Sequence, residues 1–476
     1  MNTICARFFL FSTAAFALSR VWAAAEPPAG FLLDAAAVAE ASKQVTAARF
    51  PDADRVLVDD HVLETFEKDG TSIAWDDEYT KILTEKGRRE GATHEIFFDL
   101  HYGTAFVYRA ELIKPDGRVI PIDTAKFSRV MTEPGQMGAN IYDPANKILS
   151  FSLPGIEIGD LCHLVTCNIT TKARVPDTWS DFTLLEGDLP ILSLTYDISA
   201  PPERPLRHRL LRSPVTNTLT YAESRLASGR TLHTWKAANV PQMFPEPDMP
   251  PLQTQVQRLL LSTIGDWREV SRWYWELCKP ALAKVTPEIR DKVRELTAGA
   301  ATRDEKIRRL FKFVSQEIRY MGITAEDTAP GYEPHEVSLT FKNRYGVCRD
   351  KAALLAAMLT EAGIPGYPVL IHAGAKMDPD VPTPFFNHAI TAVDKTGGGY
   401  ILMDPTDENT RDLFPSYLCN RSYLVARPEG ETLLVSDVYP ADKNLARITS
   451  DGTLDETGAL ILKTRVVFEG INDNAY

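Results

Sequence analysis

A proline-rich segment near the middle of the chain separates two parts that follow different patterns. Five prolines fall within residues 240–251. Because proline lacks a backbone N–H and fixes its own φ angle, such a stretch can neither continue a helix nor complete a strand ladder. We therefore interpret residues 241–252 as a linker, in a chain whose 476 residues suggest about three domains in all.

Short segments in which apolar and polar residues alternate precede the linker. They include residues 71–82, 94–100 and 104–113, and turn signals such as Pro115-Asp116-Gly117 punctuate this region. Alternation with a period of two is typical of strands, and regular short strands joined by turns favour a sandwich. We predict an antiparallel β-sandwich over residues 26–240, where we find no catalytic cluster.

Helical signals dominate after the linker. Thr286 followed by Pro287 indicates a helix start, and Thr302 with Glu305 forms a capping box. The run from residue 352 to residue 359 is apolar on all sides, which is typical of a buried helix. We predict an α+β core over residues 253–438, and we interpret residues 439–476 as the beginning of a truncated C-terminal β-domain.

The first 25 residues have the pattern of an export signal. Arg7 precedes an apolar run over residues 8–18, and alanines at positions 23–25 provide small residues for cleavage. We expect a mature protein in the periplasm or outside the cell, with no stable membrane span after cleavage. The net charge of −12 argues against a nucleic-acid partner, since phosphate binding needs a concentrated basic surface.

The cysteines do not form a metal-binding pattern. No Cys-x-x-Cys pair occurs in the sequence, which makes a structural zinc site unexpected. No calcium loop of the Asp-x-Asp-x-Asp-Gly kind occurs either. Without the signal peptide five cysteines remain, an odd number, so at least one is unpaired within the chain. We expect neither a metal nor a cofactor.

Cys348 stands where a reactive thiol would be expected. It lies at the start of the predicted buried helix, where unpaired backbone N–H groups and the helix dipole stabilise a thiolate. Arg349 and Lys351 add positive charge nearby. His388 begins a later strand, and Asp404 ends the next strand of a predicted hairpin. In an antiparallel pair these two can lie side by side, so the carboxylate could hold the imidazole.

Each of these residues also has an ordinary structural interpretation. A cysteine at a helix start is usually a small buried residue, and Asp404 in Asp-Pro-Thr also opens an ordinary turn. His335 and His372 are rival bases. We favour His388, because His335 lies in a loop before the cysteine and His372 has no aspartate after its strand. Metal binding by the three side chains receives less weight, since paired ligand spacings are missing.

Several segments resemble bacterial transglutaminase-like proteins, over about residues 250–435. Residues 344–351 read Arg-Tyr-Gly-Val-Cys-Arg-Asp-Lys and are similar to the active-site helix motif R-Y-G-D-C-K-D-K of that family. Residues 386–390 and 403–406 are similar to its histidine strand and its aspartate turn. Val347 departs from the motif's acidic residue and Arg349 from its lysine, and neither change removes a catalytic atom.

The part before the linker resembles a domain of unknown function that commonly precedes such cores. Residues 154–160, 189–191 and 235–250 carry this similarity. The resemblance therefore implies a multidomain protein, with a strand-rich domain in front of a papain-like, transglutaminase-like α+β core. It assigns no role to the first domain.

The family resemblance also implies the roles of the site residues. Cys348 would be the nucleophile, His388 the base and Asp404 the group that orients the imidazole. The thiolate would attack an amide of a protein or peptide substrate and form a thioester, and the acceptor, water or a lysine amine, stays open.

Three further residues are weaker candidates for contacts with the substrate. The Cys348 N–H could form half of an oxyanion hole, and Tyr320 or Tyr332 could supply a second donor. Gly346 could let a substrate approach the backbone closely. We predict a cysteine-dependent acyltransferase or peptidase. The alternative is a non-catalytic binding or scaffolding protein of the cell envelope that retains the fold.

Overall fold

The structure is a computed structural model that describes residues 26–211, 215, 217–323, 330–410 and 412–470. The predicted export signal lies outside the described residues. The chain packs into two compact units. The first consists of the described residues up to Glu133 together with Ala145–Thr263, and the second of Pro134–Pro144 and the residues from Ile264 onward.

Among its described residues, the first unit is built mainly of strands, with three short helices. The helices are α1 (Ala35–Ser42), α2 (Glu85–Glu90) and α3 (Thr124–Phe127). Its strands are β1 (Arg55–Phe66), β2 (Ser72–Ile82), β3 (Thr93–Asp99), β4 (Gly103–Ile113), β5 (Val119–Pro121), β6 (Ser128–Thr132), β8 (Asn146–Ser152), β9 (Leu161–Thr170), β10 (Ser180–Leu184), β11 (Ile191–Ala200), β12 (Arg207–Leu211), β13 (Leu219–Arg225), β14 (Thr231–Val240) and β15 (Arg258–Ser262).

These strands form one large sheet and two small ones. The eight-stranded sheet has the order β13-β14-β11-β1-β2-β9-β4-β5, and the three-stranded sheets are β10-β15-β12 and β3-β8-β6. Each small sheet shares an apolar core with the large one. The predicted strand-rich first domain is confirmed. Its large sheet is mixed rather than strictly antiparallel, because β1 and β11 pair in parallel.

Strand β15 shows how the first unit extends past the proline-rich segment. It pairs with β10 and β12 over Arg258–Ser262, so these residues complete a sheet of the first unit. The sequence assigned them to the following core because their local pattern gives no sign of their distant partners. The other predicted domain limits stay predictions.

The second unit combines helices with short strands. The helices are α4 (Trp267–Leu282), α5 (Pro287–Thr297), α6 (Arg303–Glu317), α7 (Val337–Asn343) and α8 (Cys348–Glu361). Its strands are β7 (Ile141–Tyr142), β16 (Arg319–Tyr320), β17 (Gly322–Ile323), β18 (Tyr345–Gly346), β19 (Gly366–Ile371), β20 (His388–Asp394), β21 (Tyr400–Met403), β22 (Ser422–Val425), β23 (Leu434–Val435), β24 (Leu445–Leu454) and β25 (Leu460–Glu469).

Helix α8 lies at the centre of this unit. The residues from 352 to 359 are all buried, as the apolar run predicts. The helix contributes to one apolar core with residues of α5, α6, β20 and β21. The five-stranded sheet has the order β21-β20-β19-β22-β23, and β20 and β21 form the predicted hairpin. A buried helix against a sheet is a rigid platform, so the residue that begins α8 is held firmly in place.

The helix starts predicted from capping residues are also present. The Thr302 hydroxyl accepts from the Glu305 N–H at 3.1 Å, and the Glu305 carboxylate accepts from the Ala301 N–H at 2.9 Å. After the core, β24 and β25 pair with each other as a two-stranded ribbon. Among the described residues, none of the helices combines the length and apolar composition needed to cross a bilayer.

Candidate active site

Cys348 is the first residue of α8. Val347 before it has an extended backbone, and the side chain of Asp350 accepts the Val347 N–H at 3.0 Å. The thiol therefore stands on the first turn of a buried helix, where backbone N–H groups point outward and favour negative charge. This is the position that the sequence predicts.

The hairpin that follows brings His388 to Asp404. The pairing of the hairpin ends with Thr391 and Met403, and Asp404 is the residue directly after β21. The His388 Nε2 atom lies 3.0 Å from Asp404 Oδ2. The predicted hairpin thus brings the two side chains together, although Asp404 follows β21 instead of ending it.

His388 also contacts the thiol of Cys348, and this contact sets the charge of both groups. Burial alone would raise the pKa of Cys348, but the hydrogen bond and charge of His388, the charge of Arg349 and a hydrogen bond from the Ala389 N–H lower it overall. Burial alone would lower the pKa of His388, but hydrogen bonds with Asp404 and Cys348 raise it to about 10. Both shifts favour the ion pair of a thiolate and an imidazolium.

Asp404 is an ionised carboxylate in a buried position. Its side chain is 1% exposed. Burial would raise its pKa, but the hydrogen bond with His388 and the two bonds from Thr406 lower it below the ordinary value. The Tyr417 hydroxyl also donates to Oδ2, at 3.0 Å. Tyr417 could not be identified from the sequence, because only tertiary packing brings it to Asp404 and no local pattern marks it.

Of the weaker candidates, Tyr320 lies beside the thiol. Its hydroxyl is within hydrogen-bonding reach of both the side chain and the backbone N–H of Cys348, and burial raises its pKa. Tyr332 has a different role, because its hydroxyl donates to the carbonyls of Pro384 and Phe386, at 2.8 and 2.9 Å. It thus holds the segment that leads into His388.

Gly346 serves packing inside the protein. An added Cβ would lie 2.6 Å from the Asp350 Cβ and 3.1 Å from the Thr340 Cγ2. The close approach that requires a glycine here is therefore made by Asp350. The approach of a substrate to Gly346 stays a prediction.

The two rival histidines lie in other environments. His335 Nδ1 lies 3.1 Å from Asp350 Oδ1. His372 follows directly after β19, where burial lowers its pKa and the backbone of Phe385 is its hydrogen-bond partner. His388 is the histidine that joins Cys348 to a carboxylate.

The two basic residues after the cysteine differ in effect. Arg349 contributes to the lowered pKa of Cys348. Lys351 is buried, which lowers its pKa to about 8, and its Nζ donates to the carbonyls of Ser315 and Ile318 at the end of α6. Lys351 therefore caps a helix C-terminus and ties it to α8.

The side chains of the site are of the types that nucleophilic chemistry uses. Within the described ranges, no group of three or more His, Cys, Asp or Glu side chains is arranged to hold a metal ion. The five cysteines found there are all free thiols: Cys162, Cys167, Cys278, Cys348 and Cys419. A thiolate, an imidazolium and a buried carboxylate in series are the groups that nucleophilic attack on a carbonyl requires.

Comparison with protein families agrees with this architecture. Residues 290–405 match the transglutaminase-like superfamily, and residues 68–244 match a domain of unknown function with a solved structure, DUF3857. The first match spans Cys348, His388 and Asp404. A comparison with curated proteins gave no match.

A solved structure shows the same fold. A "putative protease" from Parabacteroides distasonis has a TM-score of 0.63 at 16% identity, covering 83% of this chain and 77% of its own. A "putative cysteine protease" from Cytophaga hutchinsonii has 13% identity over 61% of this chain and 87% of its own, with a TM-score of 0.22. Residues 290–405 thus match the transglutaminase-like superfamily, behind a match to DUF3857 over residues 68–244.

Proposed function

We propose that this protein is a cysteine-dependent enzyme that transfers or hydrolyses acyl groups of protein or peptide amides. The observation that carries the proposal is the contact series from Cys348 through His388 to Asp404, with the pKa of the thiol lowered and that of the imidazole raised. A resting thiolate needs no separate deprotonation step before it attacks.

The proposed reaction has two halves. The Cys348 sulfur attacks the amide carbonyl carbon, and a C–S bond forms. The C–N bond then breaks, and the departing amine takes a proton from the His388 imidazolium, which leaves a thioester. Water or an amine next gives a proton to His388 and attacks the thioester carbon. The C–S bond breaks and the thiolate is restored.

The carbonyl oxygen of the substrate becomes negatively charged in each half of the reaction, and it then needs hydrogen-bond donors. The Cys348 N–H at the start of α8 is one, and we propose the Tyr320 hydroxyl as the second, because it contacts that N–H and the thiol. In this role it would turn its proton toward the substrate oxygen.

Alkylation of the intact protein by iodoacetamide tests the proposal. We expect Cys348 to react at pH 6 at least about ten-fold faster than Cys419, because burial raises the pKa of the Cys419 thiol. Rates for each cysteine would be read by mass spectrometry, with the C348S variant as the control. Equal rates for the two thiols at pH 6 would contradict the proposal and favour the binding or scaffolding alternative.

A second assay separates the two acceptors. Casein incubated with the protein and a fluorescent primary amine would become labelled if an amine is the acceptor, and would release peptides if water is the acceptor and the attacked amide lies in the backbone. C348S should abolish either signal. Neither signal above the C348S background would count against both activities on this substrate class.

We also propose that the mature protein acts in the periplasm or outside the cell. Support comes from the export pattern of residues 1–25. Sequencing the N-terminus of the protein made in a bacterial host should show cleavage near alanines 23–25. An intact N-terminus on cytoplasmic protein would contradict this.

A further inference from the structure

A second carboxylate–imidazole pair lies at the foot of the helix that carries the thiol. Asp350 is in the first turn of α8, and its Oδ2 accepts the Val347 N–H at 3.0 Å. Its Oδ1 accepts the backbone N–H of His335 at 2.9 Å and lies 3.1 Å from His335 Nδ1. One carboxylate therefore joins the residue before Cys348 to a segment that precedes α7.

The packing around this carboxylate leaves the turn little freedom. Asp350 is 3% exposed, and Gly346 lies so close that a Cβ there would be 2.6 Å from the Asp350 Cβ. Gly346 is held in turn by its pairing with Tyr320 in the β16–β18 ladder. A displacement of Asp350 would therefore be transmitted to the backbone on both sides of the nucleophile.

The charge of Asp350 also matters, because it lies two residues from the thiol. Burial would raise its pKa, but the hydrogen bond of His335 and the charges of Arg349 and His335 lower it. Asp350 is thus an anion on the same turn as the Cys348 thiolate. Without a partner beside it, the charge of Asp350 would disfavour the negative charge of the Cys348 thiolate.

We propose that His335 is a positioning residue for the nucleophile: with Asp350 it holds the turn that begins α8 and screens the Asp350 charge from the Cys348 thiolate. The inference rests on the proposed function. It gives a role to a histidine that the sequence offered only as a rival base.

Other charged groups face His335 and have to be considered with it. His335 borders a cavity of about 830 Å³, and its side chain is 17% exposed. The charged residues that line this cavity beside it are Glu288, Glu333, Glu336 and Lys342. Three carboxylates and one ammonium therefore line this cavity beside His335, and Lys284 pairs with Glu336 at 3.4 Å.

The test measures the alkylation rate of Cys348 against pH in the full-length protein. H335A should raise the midpoint of the thiolate titration by about one unit, so that the rate at pH 6 falls about ten-fold and the rate at pH 9.5 stays within about two-fold of wild type. H335N, which keeps an N–H donor toward Asp350, should recover part of the loss and serves if H335A folds poorly.

A double variant separates screening from simple damage. In H335A/D350N the unscreened charge is gone, so the midpoint should return toward that of wild type. H101A is the matched control, because His101 Nδ1 lies 3.0 Å from Asp99 Oδ1 in the first unit and should not affect Cys348.

Two outcomes would overturn the inference. One is an H335A midpoint equal to that of wild type. The other is a loss of rate that is equal at all pH values and that D350N does not relieve. A wild-type Cys348 without a lowered midpoint would instead remove the proposed function itself, so the two failures are distinguishable.

Discussion

Each unit of the molecule buries a pair of carboxyl groups, and the pKa values of the two pairs shift in opposite directions. They are raised in the first unit and lowered in the second. In the first unit Asp60 lies on β1 and Asp76 on β2, and the pKa of Asp60 is raised by burial and by the charges of Asp76 and Glu78. Burial and Glu78 likewise raise the pKa of Asp76 to about 7. In the second unit Asp404 and Asp350 are at least as buried, yet their pKa values are lowered.

The side chain next to each carboxyl group explains the difference in pKa. Asp60 and Asp76 have each other as neighbours, so at least one is favoured as the neutral acid. Asp404 has His388 and Asp350 has His335, and an imidazolium favours the ionised form. Burial by itself is therefore no sign of a functional carboxylate. A buried carboxylate that a histidine keeps ionised is a better sign of a functional site.

A histidine between carboxylates is also not sufficient. In the first unit His163 lies 2.9 Å from Glu111 through Nδ1 and 2.9 Å from Asp77 through Nε2. Both ring nitrogens are occupied, so no nitrogen is left to serve a nucleophile. His388 differs because Asp404 takes one nitrogen and the other is left for Cys348.

The largest expected effect comes from removing the charge of the partnered carboxylate. D404N should lower the rate of acyl transfer by about 10³-fold or more, since the amide no longer stabilises an imidazolium. The rate with casein as substrate would be measured, along with the pH midpoint of Cys348 alkylation. D197N is the matched control, because Asp197 in the first unit lies 3.0 Å from His61 Nε2. A D404N rate close to that of wild type would contradict the view that a carboxylate paired with a histidine marks the functional site.

An intermediate effect is expected from Asp60 and Asp76, the carboxyl pair of the first unit. A carboxyl group whose pKa is raised on folding contributes stability that is present below its unfolded pKa of about 4 and is lost as pH rises through the folded value. For Asp76 that value is about 7. Stability should therefore fall between about pH 4 and 7 through this pair.

The D60N variant tests this expectation. Its amide side chain cannot ionise, so the Tm of D60N should exceed that of wild type by roughly 2–4 °C at pH 8 and by less at pH 5. Asp404 and Asp350 act in the opposite sense, since stability from a lowered pKa is lost as pH falls below about 4. The contributions of Asp404 and Asp350 are the same in D60N and in wild type, so they cancel in the difference between the two Tm values. A difference in Tm that does not change with pH would contradict the prediction.

The smallest expected effect concerns Tyr417. Its hydroxyl donates to Asp404, but the residue is 52% exposed and water can replace the bond. Y417F should lower the acyl-transfer rate roughly two- to five-fold, with little change in Tm. Y400F is the matched control, because the Tyr400 hydroxyl donates to Glu431 at 2.6 Å. A loss as large as that of D404N would mean that Tyr417 takes part in the chemistry.

Much of the second unit could be predicted from the sequence. The buried helix behind Cys348, the helix starts at Thr286 and Thr302, and the hairpin that carries His388 are all present. Each depends on side chains within about one or two turns of a helix or one hairpin, so the local pattern contains the information.

The remaining features required the tertiary structure. The sequence by itself determined that a thiol begins a buried helix and that a histidine and an aspartate follow on one hairpin. Only the tertiary structure decided that Ala389 donates to the thiol, that Tyr417 donates to Asp404 and that His335 pairs with Asp350. The reason is physical: periodicity and capping act between near neighbours, whereas these contacts depend on how separate elements pack against each other.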